Sequence, residues 1–109
     1  MKKLLLLFII LAFSNANSQW ALISTVPTSP NINSLSVVNQ NLIWIACDAN
    51  KVYRSIDGGL NWVLKNTGLP SGNCYGISAL DSSNCWVGTV NGSIYRTTNG
   101  GTSWTLQFT

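Results

Sequence analysis

The chain has 109 residues, of which 46% are hydrophobic, and a formal net charge of +3. It contains no His, and Asp48, Asp57 and Asp81 are its only acidic side chains. Most of the usual general acids, general bases and metal ligands are therefore missing, so the composition argues against an enzyme and against a metal or cofactor site.

Residues 1–18 have the order of a signal peptide, because two lysines precede an unbroken apolar run at 4–13, and small and polar residues follow. The run is shorter than the roughly 20 residues that a membrane-spanning helix needs. We expect export to a secreted or periplasmic location, with a mature start between Asn17 and Gln19. The remaining charge is +1, and its four basic residues are too scattered to bind nucleic acid or an anionic membrane.

A repeat of 42 residues organises the rest of the chain, since this shift aligns Trp20 with Trp62 and Trp104, and Trp44 with Trp86. All five tryptophans thus fall into two registers. Repeats of about 40 to 50 residues are typical of propeller blades, which have four strands each. The same shift superposes Tyr53-Arg54-Ser55 on Tyr95-Arg96-Thr97, Gly58-Gly59 on Gly100-Gly101, and Ser36 on Ser78.

The hydrophobic period is two, and turn residues interrupt it about every 8–12 residues, which predicts strands and no helix. Region 19–33 contains a closing strand, Trp20–Ser24, which matches the fourth strands, and a link. The first blade is predicted at 34–67 and the second at 68–109. Their strands are predicted at Ser34–Val38, Leu42–Asp48, Lys51–Ile56, Trp62–Thr67, Tyr75–Leu80, Asn84–Val90, Ser93–Thr98 and Trp104–Thr109.

The predicted fold class is therefore all-β, with two blades and one closing strand of a β-propeller. Known propellers have roughly four to eight blades. We expect the chain to be a fragment of a larger propeller, with a homo-oligomer as the alternative if the chain is complete.

An eight-residue motif of the form Ser/Thr-x-Asp/Asn-x-Gly-x-x-Trp occurs once in each blade. Asp and Asn accept hydrogen bonds from backbone amides within a turn, glycine supplies positive φ, and Trp covers the turn. We interpret both motifs as structural turns, and Asn99 supports this because an amide is no acid or base. The motif residues are Ser55, Asp57, Gly58, Gly59 and Trp62, and Thr97, Asn99, Gly100, Gly101 and Trp104.

These motifs resemble the Asp boxes of BNR propellers, a group that includes sialidases, sortilin-like receptors and photosystem II assembly factors. The Tyr-Arg-Ser/Thr-x-Asp/Asn-Gly-Gly-x-x-Trp form is most similar to the assembly factors and their secreted bacterial relatives. The resemblance implies a non-catalytic module that binds protein partners or holds the remaining blades of its own propeller. The alternatives are part of an exported adhesion or surface protein, or the N-terminal fragment of a sialidase-like glycoside hydrolase.

Arg54 and Arg96 are the candidate binding residues, because equivalent third-strand positions in neighbouring blades lie side by side. Sialidases, by resemblance, use three arginines, and this chain has two. The competing interpretation is that each arginine bridges adjacent blades through salt links or carbonyl hydrogen bonds.

Cys47, Cys74 and Cys85 have no metal-binding spacing, and we interpret them as small buried residues, although an odd count also allows a bond to another chain.

Overall fold

The computed structural model describes residues 20–23 and 30–109, and the predicted signal peptide lies outside them. Within this part of the chain all regular structure is β, in two antiparallel four-stranded sheets. Each sheet is a meander in which every strand pairs with the next in sequence. Blade 1 comprises β1 (Ile32–Val37), β2 (Ile43–Cys47), β3 (Val52–Ser55) and β4 (Val63–Leu64), and blade 2 comprises β5 (Cys74–Ala79), β6 (Cys85–Thr89), β7 (Ile94–Thr97) and β8 (Thr105–Phe108).

All eight predicted strands form, and the main differences lie at their ends. The first strand of each blade begins earlier than predicted, at Ile32 and Cys74, because a register shift lets an extra residue enter the pairing. β4 is restricted to Val63–Leu64, both exposed, and pairs with β3 alone. Residues 20–23 are not in a strand. The last residue of the predicted closing strand lies outside the described part, so this strand stays a prediction.

The main hydrophobic core lies between the blades. Leu42, Trp44, Ala46 and Val52 of blade 1 pack with apolar residues of blade 2 that include Trp104. The Trp44 and Trp104 rings meet edge to face with centroids 6.3 Å apart. This core unites the two sheets because alternate residues of β2 and β3 face the neighbouring blade.

Cys47, Cys74 and Cys85 are buried free thiols. Burial raises the pKa of Cys74 to about 11 and that of Cys85 to about 12, because an apolar surrounding disfavours the thiolate. Burial also raises the pKa of Cys47, with a contribution from the nearby Asp48 carboxylate. The three thiols therefore act as small apolar core residues and are poor nucleophiles at neutral pH.

Candidate functional site

The two Asp boxes form nearly superimposable turns after β3 and β7. In the first, Ser55 Oγ accepts from Gly59 N at 2.8 Å and donates to Asp57 Oδ1 at 2.9 Å. Asp57 also accepts from Asn61, from its backbone N at 2.9 Å and its Nδ2 at 2.7 Å. These bonds, those from Asn61 first, hold the pKa of Asp57 below its usual value.

The second box makes equivalent contacts with an amide in place of the carboxylate, except that its side-chain bond to the residue four positions on runs in the opposite direction. Thr97 Oγ1 accepts from Gly101 N at 2.8 Å and donates to Asn99 Oδ1 at 2.9 Å. Asn99 Oδ1 accepts from Ser103 N at 3.0 Å, and Asn99 Nδ2 donates to Ser103 Oγ at 2.8 Å. The side chains of Asp57 and Asn99 are hydrogen-bonded within their own turns, so neither box offers a free acid or base.

The other two carboxylates are also engaged in local hydrogen bonds. Asp48 accepts from Asn31 Nδ2 at 3.0 Å and from Asn33 Nδ2 at 2.9 Å. Asp81 accepts from the backbone N of Asn84 at 2.7 Å and from that of Ser83 at 2.8 Å, and such bonds lower its pKa. Residues 20–23 and 30–109 contain no group of three His, Cys, Asp or Glu side chains that could hold a metal ion.

The two candidate arginines occupy equivalent places, each with its guanidinium over a tryptophan of the preceding strand. Arg54 Cζ lies 5.4 Å from the ring centroid of Trp44, and Arg96 Cζ lies 4.8 Å from that of Trp86. Each pair is also a cross-strand partner in its sheet. Stacking of this kind fixes the long side chain and aims its donors at the end of the blade.

Arg54 is already used between the blades. Its Nη1 donates to the carbonyl oxygen of Ser82, in the β5–β6 turn, at 2.7 Å, and to that of Gly100, in the second box, at 3.5 Å. This is the carbonyl bridge that the sequence offered as the competing interpretation. A methyl group added at Gly100 would lie 2.6 Å from Arg54 Nη1, so the absence of a side chain there gives the guanidinium its place.

Arg96 lacks such a neighbour in the described residues. Its Nη2 donates to Asn84 Oδ1 of the same blade at 3.4 Å, which is a long hydrogen bond. Its Nε is buried and has no hydrogen-bond partner in the described part of the chain. A buried donor without a partner is costly, and Arg96 Nε is such a donor within the described residues.

The large apolar side chains on the outer sides of the two blades are exposed, and sequence reasoning did not single them out. On blade 1, Ile32 and Leu35 are 53% and 61% exposed, and with residues 20–23 and Trp62 they line an open groove. On blade 2, Leu80 and Ile94 are 66% and 41% exposed. The period-two pattern could have found them, since strands apolar on both sides need cover on both faces.

No helix of the described residues is long and apolar enough to cross a membrane.

A family model for the photosynthesis system II assembly factor YCF48 matches residues 18–109. Among solved structures, one described as "YCF48 bound to D1 peptide" is similar, with a TM-score of 0.62 and 22% sequence identity. That match covers 74% of this chain and 27% of the solved chain. No curated protein matches. The predicted all-β fold with propeller blades is confirmed, and the matched part of this chain covers only about a quarter of the length of the solved chain.

Proposed function

Because the chain belongs to the YCF48 family of photosynthesis system II assembly factors, we propose that it is a non-catalytic module that binds other polypeptides. Arg96 is the observation that carries the proposal. Its guanidinium is fixed on Trp86, and its Nε is buried without a partner in the described residues. Such a group binds backbone carbonyls or a carboxylate of a partner chain with charge-assisted hydrogen bonds.

The engagement of the carboxylates supports a role without catalysis. Glycoside hydrolysis normally needs a pair of carboxyl groups that face the substrate. Here Asp48, Asp57 and Asp81 are all hydrogen-bonded within turns or to neighbouring Asn side chains. A sialidase-like activity would need acids or bases that these residues do not provide.

A peptide titration tests the proposal. The probe is the D1 peptide, which the solved neighbour binds. We expect the chain, produced from Gln19, to bind it with saturable heat release or chemical-shift changes. Arg96→Ala weakens this binding at least about tenfold, because hydrogen bonds to charged groups contribute about 1.5–3 kcal/mol.

Lys51→Ala is the matched control, since it removes one positive charge from a hairpin of blade 1 and leaves Arg96 in place. Equal weakening by both substitutions would reduce the contact to nonspecific charge and count against Arg96. Absence of binding would contradict the peptide-binding role, and hydrolysis of a sialoside substrate would favour the glycosidase alternative.

We also propose export of the protein to a secreted or periplasmic location, on the order of residues at 1–18. Expression of the full chain in a bacterium is expected to give a shortened protein outside the cytoplasm, with its N-terminus between Asn17 and Gln19. Mass spectrometry of the recovered protein measures the cleavage site. An uncleaved cytoplasmic chain would contradict the proposal.

A further inference from the structure

The chain contains two Asn-Gly dipeptides, Asn91-Gly92 in the turn between β6 and β7 and Asn99-Gly100 in the second box. Asparagine is a thermolabile residue. The backbone nitrogen of the next residue can attack its side-chain amide carbon, and glycine screens that nitrogen least because it has no side chain. The two dipeptides have the same local chemistry, so a difference in their reactivity arises from the fold.

The side chain of Asn99 is fixed by three hydrogen bonds of the second box. Its Oδ1 accepts from Thr97 Oγ1 at 2.9 Å and from Ser103 N at 3.0 Å, and its Nδ2 donates to Ser103 Oγ at 2.8 Å. Gly100 is buried, and a methyl group added there would lie 2.6 Å from Arg54 Nη1. Attack on the Asn99 amide therefore requires three hydrogen bonds to break in a crowded turn.

The side chain of Asn91 has no hydrogen bond within the described residues, and both Asn91 and Gly92 are exposed. A methyl group added at Gly92 would meet no atom within 4 Å. The one restraint on the attacking nitrogen is the turn bond from Gly92 N to Thr89 O, at 3.0 Å. Exposed turns with few buried contacts open at low free energy. Asn91 can therefore bring its amide to Gly92 N without loss of a side-chain contact.

The position of Asn91 stays exposed when another blade packs alongside. Its repeat equivalent is Ala49, in the turn between β2 and β3 of blade 1. Blade 2 packs on blade 1 through the interblade joint, which consists of the apolar core and the Arg54 bridge, and Ala49 is exposed beside it. This turn lies at the end of the blade, beyond the packed face. A blade packed on blade 2 in the same way would thus leave Asn91 exposed.

We propose that Asn91 is a site of spontaneous covalent modification, at which the Gly92 backbone nitrogen attacks the side-chain amide and water then gives aspartate or isoaspartate. In the first step a bond forms between Gly92 N and Asn91 Cγ. The Nδ2 group departs as ammonia with the proton from Gly92 N, and a cyclic imide remains. In the second step water opens the imide at either carbonyl. One water is consumed and one ammonia is released for each residue modified, without an enzyme or cofactor.

The second box is protected for a kinetic reason. In the first box, Ser55 Oγ and Asn61 N both donate to the Asp57 carboxylate, so a box can hold the product of the reaction as well as the amide. The hydrogen bonds that fix the Asn99 side chain, and not an unstable product, therefore keep this site intact.

Modification at Asn91 changes the charge of the chain. Without the predicted signal peptide the chain has four basic and three acidic side chains, so one new carboxylate reduces the formal charge from +1 to 0.

Isoaspartate also lengthens the backbone of the turn by a methylene group. The turn is anchored to the preceding link by Val90 N, which donates to Asn73 O at 2.9 Å. Its two strands are joined by Thr89 N, which donates to Ser93 O at 2.9 Å. We therefore expect the isoaspartate form to lose amide protection at Thr89 and Val90.

Incubation of the purified chain in mildly alkaline buffer, followed by peptide mass spectrometry, tests the proposal. Cleavage after Arg96 separates Asn91 and Asn99 into different peptides, and the mass gain from replacement of NH2 by OH reports each site. We expect Asn91 to react at least about tenfold faster than Asn99 in the folded chain, because three hydrogen bonds restrain only Asn99. In concentrated urea the two rates become similar, since the fold no longer distinguishes the sites.

Two variants serve as controls. Asn91→Gln is expected to prevent the change in isoelectric point on incubation, because the longer side chain closes a ring with Gly92 N less readily. Asn91→Asp carries the new charge on an ordinary backbone. Faster amide exchange at Thr89 and Val90 in the incubated protein than in Asn91→Asp therefore measures the isoaspartate form.

Two results overturn the proposal. The first is an Asn91 that stays intact in the folded chain and reacts in urea, since the turn would then protect it. The second is equal reaction of Asn91 and Asn99 in the folded chain. Neither result bears on the proposed polypeptide-binding function, which the peptide titration tests separately.

Discussion

The tryptophan–arginine pairs of the two blades have the same residues and the same stacking, but different environments. Trp44 is fully buried and Arg54 donates to two carbonyls of blade 2. Trp86 is half-buried, and Arg96 makes one long hydrogen bond within its own blade. The difference shows that in this repeat the neighbour determines burial, and the position in the sheet does not.

Replacement of the tryptophans is expected to give the largest contrast. Trp44→Ala removes the centre of the interblade core and costs about 3–5 kcal/mol, the usual range for a buried large aromatic. Trp86→Ala costs less than about half of this, because its ring is open on one side. Urea unfolding measures both, and equal losses would contradict the neighbour-dependent picture.

Glycine substitutions give the next effect. Gly100→Ala introduces a side chain at φ 70° and into the place of Arg54 Nη1, whereas Gly92→Ala introduces one at φ 77° into open space. Strain alone costs about 1–2 kcal/mol in each. We expect Gly100→Ala to lose about 1–3 kcal/mol more than this, from the lost charge-assisted bonds. Thermal and urea unfolding measure the difference, and equal stabilities would show that the arginine bridge contributes nothing.

Replacement of the arginines themselves has a smaller effect, because both side chains are partly exposed. Arg54→Ala is expected to lower the free energy of unfolding by about 1–2 kcal/mol, and Arg96→Ala by no more than about 0.5 kcal/mol. Urea unfolding measures both. A larger loss from Arg96→Ala would mean that its bond to Asn84 stabilises blade 2 more than the interblade bridge stabilises the pair.

The smallest effect concerns the two boxes in acid. Bonds from Asn61 depress the pKa of Asp57 in the folded chain, so its contribution to stability is present above the ordinary Asp value and is lost as the pH falls through the depressed one. Asn99 in the second box does not titrate. We therefore expect Asp57→Asn to fold at neutral pH and to lose less stability than the parent between about pH 5 and pH 2. Asp81 remains in both chains, so the difference in acid unfolding curves isolates Asp57.

The repeat register predicted the strands because alternation and turn residues are local signals. It identified the boxes for the same reason, since Ser55 and Asp57 bond within one turn. The repeat register could not identify the hydrogen-bond acceptors of Arg54. They are backbone oxygens at Ser82 and Gly100, and only the packing of one sheet on the next brings them to the guanidinium.

The contact between Ile23 and Gly59 could not be predicted either. The alignment of Trp20 with Trp62 gave only the repeat position of this segment. Sequence matching says which residues are equivalent, and it does not say which neighbour they touch. The sequence pattern does not distinguish Arg54 from Arg96. They differ because blade 2 packs against Arg54, whereas no blade within the described residues packs against Arg96.

The backbone acceptors of the arginine bridge have an evolutionary consequence. Ser82 and Gln40 occupy equivalent positions with unrelated side chains, and both present a carbonyl to the same place. Substitutions at these loop positions are therefore nearly silent for the joint, while Lys in place of Arg would lose the planar fork of donors. The side chains of the loop between the first two strands can therefore change without loss of the acceptor, whereas the joint depends on Arg54 and on the absence of a side chain at Gly100.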